Sequence, residues 1–287
     1  MHTMPTIFKL LGHGTALVFA FATSTALAAQ TLTKANFHLY DALHYRDTPD
    51  LSADRIHDIR LIYENKLTDT PALGFGARGF NSKRIADMAK ISKDKPETLV
   101  SLDIESWKTG PAATRKYINA IQVFRKESGA KKIGLYGFVP FGNKILYKSL
   151  DTNDSRARAR WEEFQAETTQ IAASVDIFMP SMYTWGGNHD AWIKTAKIAI
   201  ERARAVDPKK PIYVFVWPQY YSDDSSYNLN FIDTKTWRSE LEELYQLADG
   251  IILWSSDKDS DGKAIKFSRD MPWYVETMKF MHAHSIQ

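Results

Sequence analysis

From about residue 35 onward, short apolar runs alternate with longer stretches whose apolar residues recur every three or four positions. The runs at 36–42, 72–76, 98–104, 132–139, 176–183, 212–217 and 250–255 predict strands, as nearly continuous apolar runs. The stretches at 53–65, 82–91, 112–126, 155–173, 190–206, 234–247 and 273–284 predict helices. Tyr117, Ile118, Ile121 and Phe124 fall on one helical face, as do Trp192, Ala196, Ile200 and Ala203. The run Tyr213-Val214-Phe215-Val216-Trp217 is apolar throughout, as a strand covered on both faces must be. Repeated strand–helix units of this kind imply a parallel sheet with right-handed crossovers. No Gly-rich phosphate loop follows the first strand, so a barrel is preferred to a doubly wound sheet. The expected fold is α/β, a distorted TIM-like (β/α) barrel of seven to eight strands.

A length of 287 residues suits one such barrel, and no composition shift or long linker divides the chain. The first 28 residues read differently. Lys9 precedes an apolar run at 15–22, and Ala26-Leu27-Ala28 is the small-x-small pattern that signal peptidase accepts. The expected organisation is a signal peptide at 1–28 and a single barrel domain at 29–287, secreted or periplasmic. An uncleaved anchor is the alternative, and no membrane contact beyond the export signal is expected. With no cysteine the exported domain has no disulfides and rests on its core alone. The formal charge of +3 is too small to imply a nucleic-acid partner. Arg156, Arg158 and Arg160 form the one basic run, read as a solvated helix start rather than a patch for anionic glycan.

In a β/α barrel the active site lies at the C-terminal ends of the strands. Here those ends carry Asp103-Ile104-Glu105-Ser106-Trp107, Tyr136-Gly137-Phe138, Tyr183-Thr184-Trp185, Trp217-Pro218-Gln219-Tyr220-Tyr221 and Trp254-Ser255-Ser256. Aromatic platforms with a few acids suit a sugar, whose C–H faces stack on rings while its hydroxyls need polar partners. Asp103 and Glu105, two apart on a strand, point to one face with Cα atoms roughly 6–7 Å apart. Neighbours on one strand cannot easily flank a glycosidic bond from opposite sides. They fit a substrate-assisted route. Glu105 protonates the leaving oxygen, the substrate's own 2-acetamido oxygen attacks the anomeric carbon, and Asp103 orients that acetamido group. The charge of Asp103 is expected to raise the pKa of Glu105. The plain alternative is a helix cap or a surface pair of acids.

These segments resemble the hyaluronidase family of glycoside hydrolases. The matching pieces are Asp103-Ile104-Glu105 followed by Trp107, Tyr136-Gly137-Phe138-Val139-Pro140, Met179-Pro180-Ser181-Met182-Tyr183 and Ile251-Ile252-Leu253-Trp254. They occur in the family's order. The resemblance implies a distorted barrel, with Glu105 as acid/base and Asp103 as acetamido orienter. It also implies Tyr183 as a hydrogen-bond partner of the acetamido group and Trp254 as a subsite wall. Tyr136, Trp217, Trp107 and Asp41 complete the candidate substrate-binding set, although Asp41 reads equally well as a loop cap. Animal members of the family carry an Asp-Cys-Tyr-Asn stretch where this chain has Phe141-Gly142-Asn143.

The loop at 185–190 reads as a turn feeding a helix, with Asn188 or Asp190 as N-cap. Asp257-x-Asp259-x-Asp261-Gly262 begins like a calcium loop, but Ser268 stands where a bidentate Glu belongs, so it reads as a polar turn. No histidine spacing suggests a metal, no Gly-x-Ser-x-Gly elbow is present, and no cofactor is called for. The expected partner is a polysaccharide with N-acetylhexosamine units, hyaluronan-like or chondroitin-like, cleaved within the chain with retention. The rivals are a peptidoglycan muramidase, since lysozyme-like barrels also use an Asp-x-Glu strand, and a barrel that binds glycan without cutting it.

Overall fold

The computed structural model describes residues 36–70, 78–107, 109–221, 227 and 229–286. The expected signal peptide at 1–28, the predicted strand at 72–76 and most of the loop at 221–230 lie outside the described residues. In chain order the elements are β1 (His38–Ala42), β2 (Ile56–Tyr63), α1 (Glu64–Leu67), β3 (Thr68–Asp69), β4 (Gly79–Phe80) and α2 (Ser82–Lys90). Next come β5 (Leu99–Asp103), α3 (Pro111–Ser128), β6 (Ile133–Leu135), α4 (Asn143–Asp151), α5 (Ser155–Thr168) and α6 (His189–Val206). The last are β7 (Tyr213–Val216), α7 (Thr234–Leu247), β8 (Gly250–Trp254) and α8 (Pro272–Ala283).

β3 and β4 form a small antiparallel pair. The other six strands are parallel, in the order β6-β5-β2-β1-β8-β7. The segment 176–182 fills the gap between the two edges. It bonds β6 through Asp176 N–H to the Ile133 carbonyl, and Gly137 N–H returns to the Met179 carbonyl. It bonds β7 through Tyr213 N–H to the Phe178 carbonyl and Met182 N–H to the Phe215 carbonyl. Seven staves therefore close the distorted TIM-like barrel. The seventh lacks regular strand geometry because Pro180, at its centre, has no N–H to give to a ladder. Gly134 on β6 lets this stave come close, since a Cβ there would collide with the Met179 side chain.

The 53–65 stretch is a correction to the predicted helix: most of it is β2. Ile56, Ile59 and Ile62 recur every three residues and so imitate a helical face. The run Ile-His-Asp-Ile-Arg-Leu-Ile-Tyr is nevertheless β-branched and aromatic, and β2 pairs on both sides, with β1 and with β5. α4 is an addition, seated by buried Leu146 and Tyr147. The remaining helices fall close to their predicted spans.

Side-chain caps fix several helix starts. Asn188 accepts from Ala191 N–H at 3.1 Å before α6, and Asp233 accepts from Lys235 and Thr236 N–H before α7. Asp154 does the same for α5, whose first turns hold the Arg156–Arg160 run. Trp161, Trp192, Trp237 and Trp273, one on each of α5, α6, α7 and α8, are fully buried and anchor the helical layer. Among the described residues no helix is long and apolar enough to cross a membrane.

Candidate active site

Strand register decides which side chains share the barrel mouth. Tyr63 at the end of β2 stands beside Asp103 at the end of β5, and Ala42 on β1 stands beside Trp254 at the end of β8. Inward-facing positions alternate along each strand, so the last inward residues gather at one end. They line a cavity of about 290 Å³ built from Leu61, Tyr63, Glu64, Asp103, Glu105, Tyr136, Tyr183, Trp217, Tyr221 and Trp254. A second cavity of about 230 Å³ shares Glu105, Tyr136, Tyr183 and Tyr221 with it and continues past Phe141, Asn143, Lys144 and Trp185. The two are lobes of one cleft, with Glu105 and the three tyrosines at their junction. Together they match the size of a small-ligand site.

The aromatic walls are packed against each other. Tyr183 stacks on Trp254 at 5.6 Å and meets Trp217 edge-on at 5.6 Å, while Trp217 and Trp254 make a T-shaped contact at 4.7 Å. The rings of Tyr136 and Tyr183 lie 6.2 Å apart inside the cleft. Trp254 Nε1–H donates to the Tyr63 hydroxyl at 3.0 Å, and Tyr63 lies 2.5 Å from His44 Nε2. The Tyr63 oxygen keeps a second lone pair, so a neutral His44 can either accept from it or donate to it, according to its tautomer. Burial pushes the His44 pKa down, in keeping with the neutral form.

No family model and no curated protein sequence matches this chain. Solved structures do. Two structures of bee venom hyaluronidase, one in complex with a hyaluronic acid tetramer, match with TM-scores of 0.53 and 0.54. The aligned regions are 12% and 13% identical and cover 88% and 87% of this chain and 97% of each bee chain. Active domain 2 of a Pyrococcus furiosus chitinase matches at 0.48, with 13% identity over 83% of this chain and 76% of that one. The chain shares the bee protein's barrel fold.

Six of the eight residues singled out from the sequence meet in the cleft: Asp103, Glu105, Tyr136, Tyr183, Trp217 and Trp254. Asp41 does not. Tyr40, its neighbour, packs on His57 and Tyr213, so alternation turns Asp41 to the other face of β1. There its carboxylate accepts from Leu43 N–H at 2.8 Å, the loop cap that was its alternative reading. Trp107 is also outside the cleft. It is 5% exposed, donates Nε1–H to the Arg78 carbonyl at 2.7 Å and packs edge-on against Tyr117, so it supports the strand end from behind.

The residues not found from the sequence are Tyr63, Glu64 and Lys144. Glu64 follows β2 directly, and its Oε2 accepts from the N–H groups of Glu105 at 3.2 Å and Ser106 at 3.0 Å. Burial pushes the Asp103 pKa well above the carboxylate range, with the charges of Glu105 and Glu64 adding to it. Glu105, exposed at the cleft mouth, is raised by partial burial and then by Glu64. The expected like charge on Glu105 is thus supplied by Glu64. Asp103 is the deeper carboxyl of the pair. Lys144, at the start of α4, lies 4.4 Å above the Tyr221 ring, and burial lowers its pKa to about 8. The Asp259 carboxylate is occupied by the N–H groups of Asp261 and Lys263 within a hairpin turn.

Proposed function

We propose that this cleft belongs to an exported, endo-acting glycoside hydrolase of N-acetylhexosamine-containing polysaccharide, retaining and substrate-assisted. The observation that carries it is a pair of carboxyls, Asp103 and Glu105, both raised in pKa by burial and set in an aromatic-walled cleft at the C-terminal end of a β/α barrel. The barrel shared with bee venom hyaluronidase, which has been solved with a hyaluronic acid tetramer, supports the substrate class. The 1–28 leader is the reason for proposing export.

Glu105, protonated and at the mouth, gives its proton to the glycosidic oxygen as the bond to the anomeric carbon breaks. The acetamido carbonyl oxygen of the same sugar bonds to that carbon, leaving a cyclic cation. Asp103 lies deeper, where the acetamido N–H is placed. Its pKa is high in the empty cleft. Its carbonyl oxygen accepts from the acetamido N–H, and as positive charge develops on the acetamido ring the Asp103 proton passes to bulk water, leaving a carboxylate opposite the cation. Water then attacks the anomeric carbon, Glu105 takes the water's proton, and the two inversions give retention. Tyr183 and Tyr136 offer hydroxyls to the acetamido group, and Trp254 offers a face to the ring. In the second lobe, Lys144 supplies a cation for the carboxylate of a neighbouring uronic acid, which favours hyaluronan-like or chondroitin-like polymers.

Reducing-end release from hyaluronan, chondroitin, chitin oligomers and peptidoglycan, read by mass spectrometry, tests this. Products from an acidic glycosaminoglycan, reduced about 10²–10⁴-fold in Glu105→Gln, are expected. Products from peptidoglycan alone would select a muramidase. Binding without cleavage, unchanged in the variant, would select a glycan-binding barrel.

A further inference from the structure

The catalytic pair proposed above sits on a strand end with few ties of its own. β5 ends at Asp103, and Glu105 and Ser106 lie beyond it, where their N–H groups have no sheet partner. Both N–H groups point at one oxygen, Oε2 of Glu64. Glu64 reaches it from the neighbouring strand end, just after Tyr63, which is paired in register with Asp103. The Ser106 hydroxyl in turn accepts from Arg78 N–H at 3.2 Å, and the Tyr117 hydroxyl donates to the Ile104 carbonyl at 2.9 Å. Glu64 is the member of this scaffold that carries a carboxylate into the same cavity as Asp103 and Glu105.

We propose that Glu64 is a positioning residue of the site, gripping the Glu105–Ser106 backbone and holding a like charge beside the acid. Two roles follow from one side chain. The N–H bonds fix where the Glu105 carboxyl can reach, and they bring the Glu64 carboxylate to the same strand end. A carboxylate there adds to burial in opposing loss of the Glu105 proton. The other groups around Glu105 do not substitute for it. Asp103, deeper in the cleft, is itself pushed toward its protonated form by burial. Tyr63, Tyr117, Tyr136, Tyr183 and Tyr221 are all pushed above the ordinary tyrosine range by burial and stay neutral. Lys144 lines the second lobe together with Glu105 and carries a charge of the opposite sign.

This inference rests on Glu105 being the acid, and its test does not require turnover. The Glu105 carboxyl is titrated by ¹³C NMR in the full chain, its resonance assigned by its loss in Glu105→Gln. Backbone amide exchange at Glu105 and Ser106 is measured alongside. Glu64→Gln keeps an acceptor oxygen and removes the charge. The expected result is a Glu105 midpoint lower by about one pH unit, with amide protection retained. Glu64→Asp keeps the charge and shortens the reach. Its midpoint should stay near that of the wild type while both amides exchange faster. If the Glu105 midpoint does not move in Glu64→Gln, the proposal is wrong. Should that variant not fold, unchanged amide protection in Glu64→Asp overturns it instead. A wild type that cleaves none of the four polymers while its midpoints shift as stated counts against the hydrolase reading and for this inference.

Discussion

Replacing Glu240 by glutamine should remove a pH dependence of stability that the fold builds in. Glu240 on α7 is 1% exposed, and its two oxygens accept from the Thr184 hydroxyl at 2.9 and 3.0 Å. Thr184 directly follows Tyr183, so this contact ties α7 to the stave end that carries a cleft wall. His189 Nδ1, buried without a hydrogen-bond partner, lies 4.0 Å away. Burial raises the Glu240 pKa from 4.5 to about 8, partly offset by the Thr184 hydroxyl and reinforced by Asp233. A folded-state pKa above the unfolded one means that the folded chain holds a proton that the unfolded chain releases. That stabilisation is complete below pH 4.5 and is lost as the pH rises to about 8. At about 1.4 kcal/mol per tenfold change, roughly 3 kcal/mol disappears between pH 5 and 7.5. Glu240→Gln keeps the shape and an acceptor for Thr184, and cannot ionise. A chain of this size shifts by about 2–4 °C per kcal/mol, so the melting temperature of the variant should gain ~6–12 °C on the wild type across that range. Differential scanning calorimetry at half-unit steps of pH reads this directly. Two melting curves that run parallel from pH 5 to 7.5 would refute the assignment of a buried, protonated Glu240.

Two further outcomes probe the cleft itself. Lys144→Gln should raise KM about fivefold for an acidic glycosaminoglycan and leave chitin oligomers unaffected, as a single partly exposed charge contact allows. Because its pKa lies at about 8, the wild-type advantage on the acidic polymer should fade as the pH rises through that value. Trp254→Phe keeps a ring beside Tyr183 and loses the N–H given to Tyr63. It should cost about 1 kcal/mol, seen as a melting temperature ~2–4 °C lower, while oligosaccharide affinity measured by calorimetry changes little. A large loss of affinity would mean that the indole itself, and not a generic aromatic face, is what the sugar reads.

The aromatic and acidic residues at the ends of β5, β6, β7, β8 and the 176–182 stave were legible because one rule covers them: in a barrel, the C-terminal ends of the strands meet. Period-two alternation then brought Asp103 and Glu105 into the same cavity without any knowledge of the loops. The rule failed where side-chain direction, not position, was decisive. Asp41 is at the right end of β1 and on the wrong face, and Trp107 belongs to the right motif but turns back into the core. Those are properties of register and of packing against Arg78 and Tyr117, and no pattern in a single chain encodes them. Glu64 was lost for another reason. The three-residue spacing of Ile56, Ile59 and Ile62 suggested a helix ending near residue 65, and a charged residue near the end of a surface helix attracts no notice. Read instead as a β-branched strand, the same run ends Tyr63-Glu64, an aromatic–acid pair at a strand end like those around it. The missing stave and the missing carboxylate are therefore one error, and β-branched content weighed against periodicity would have recovered both.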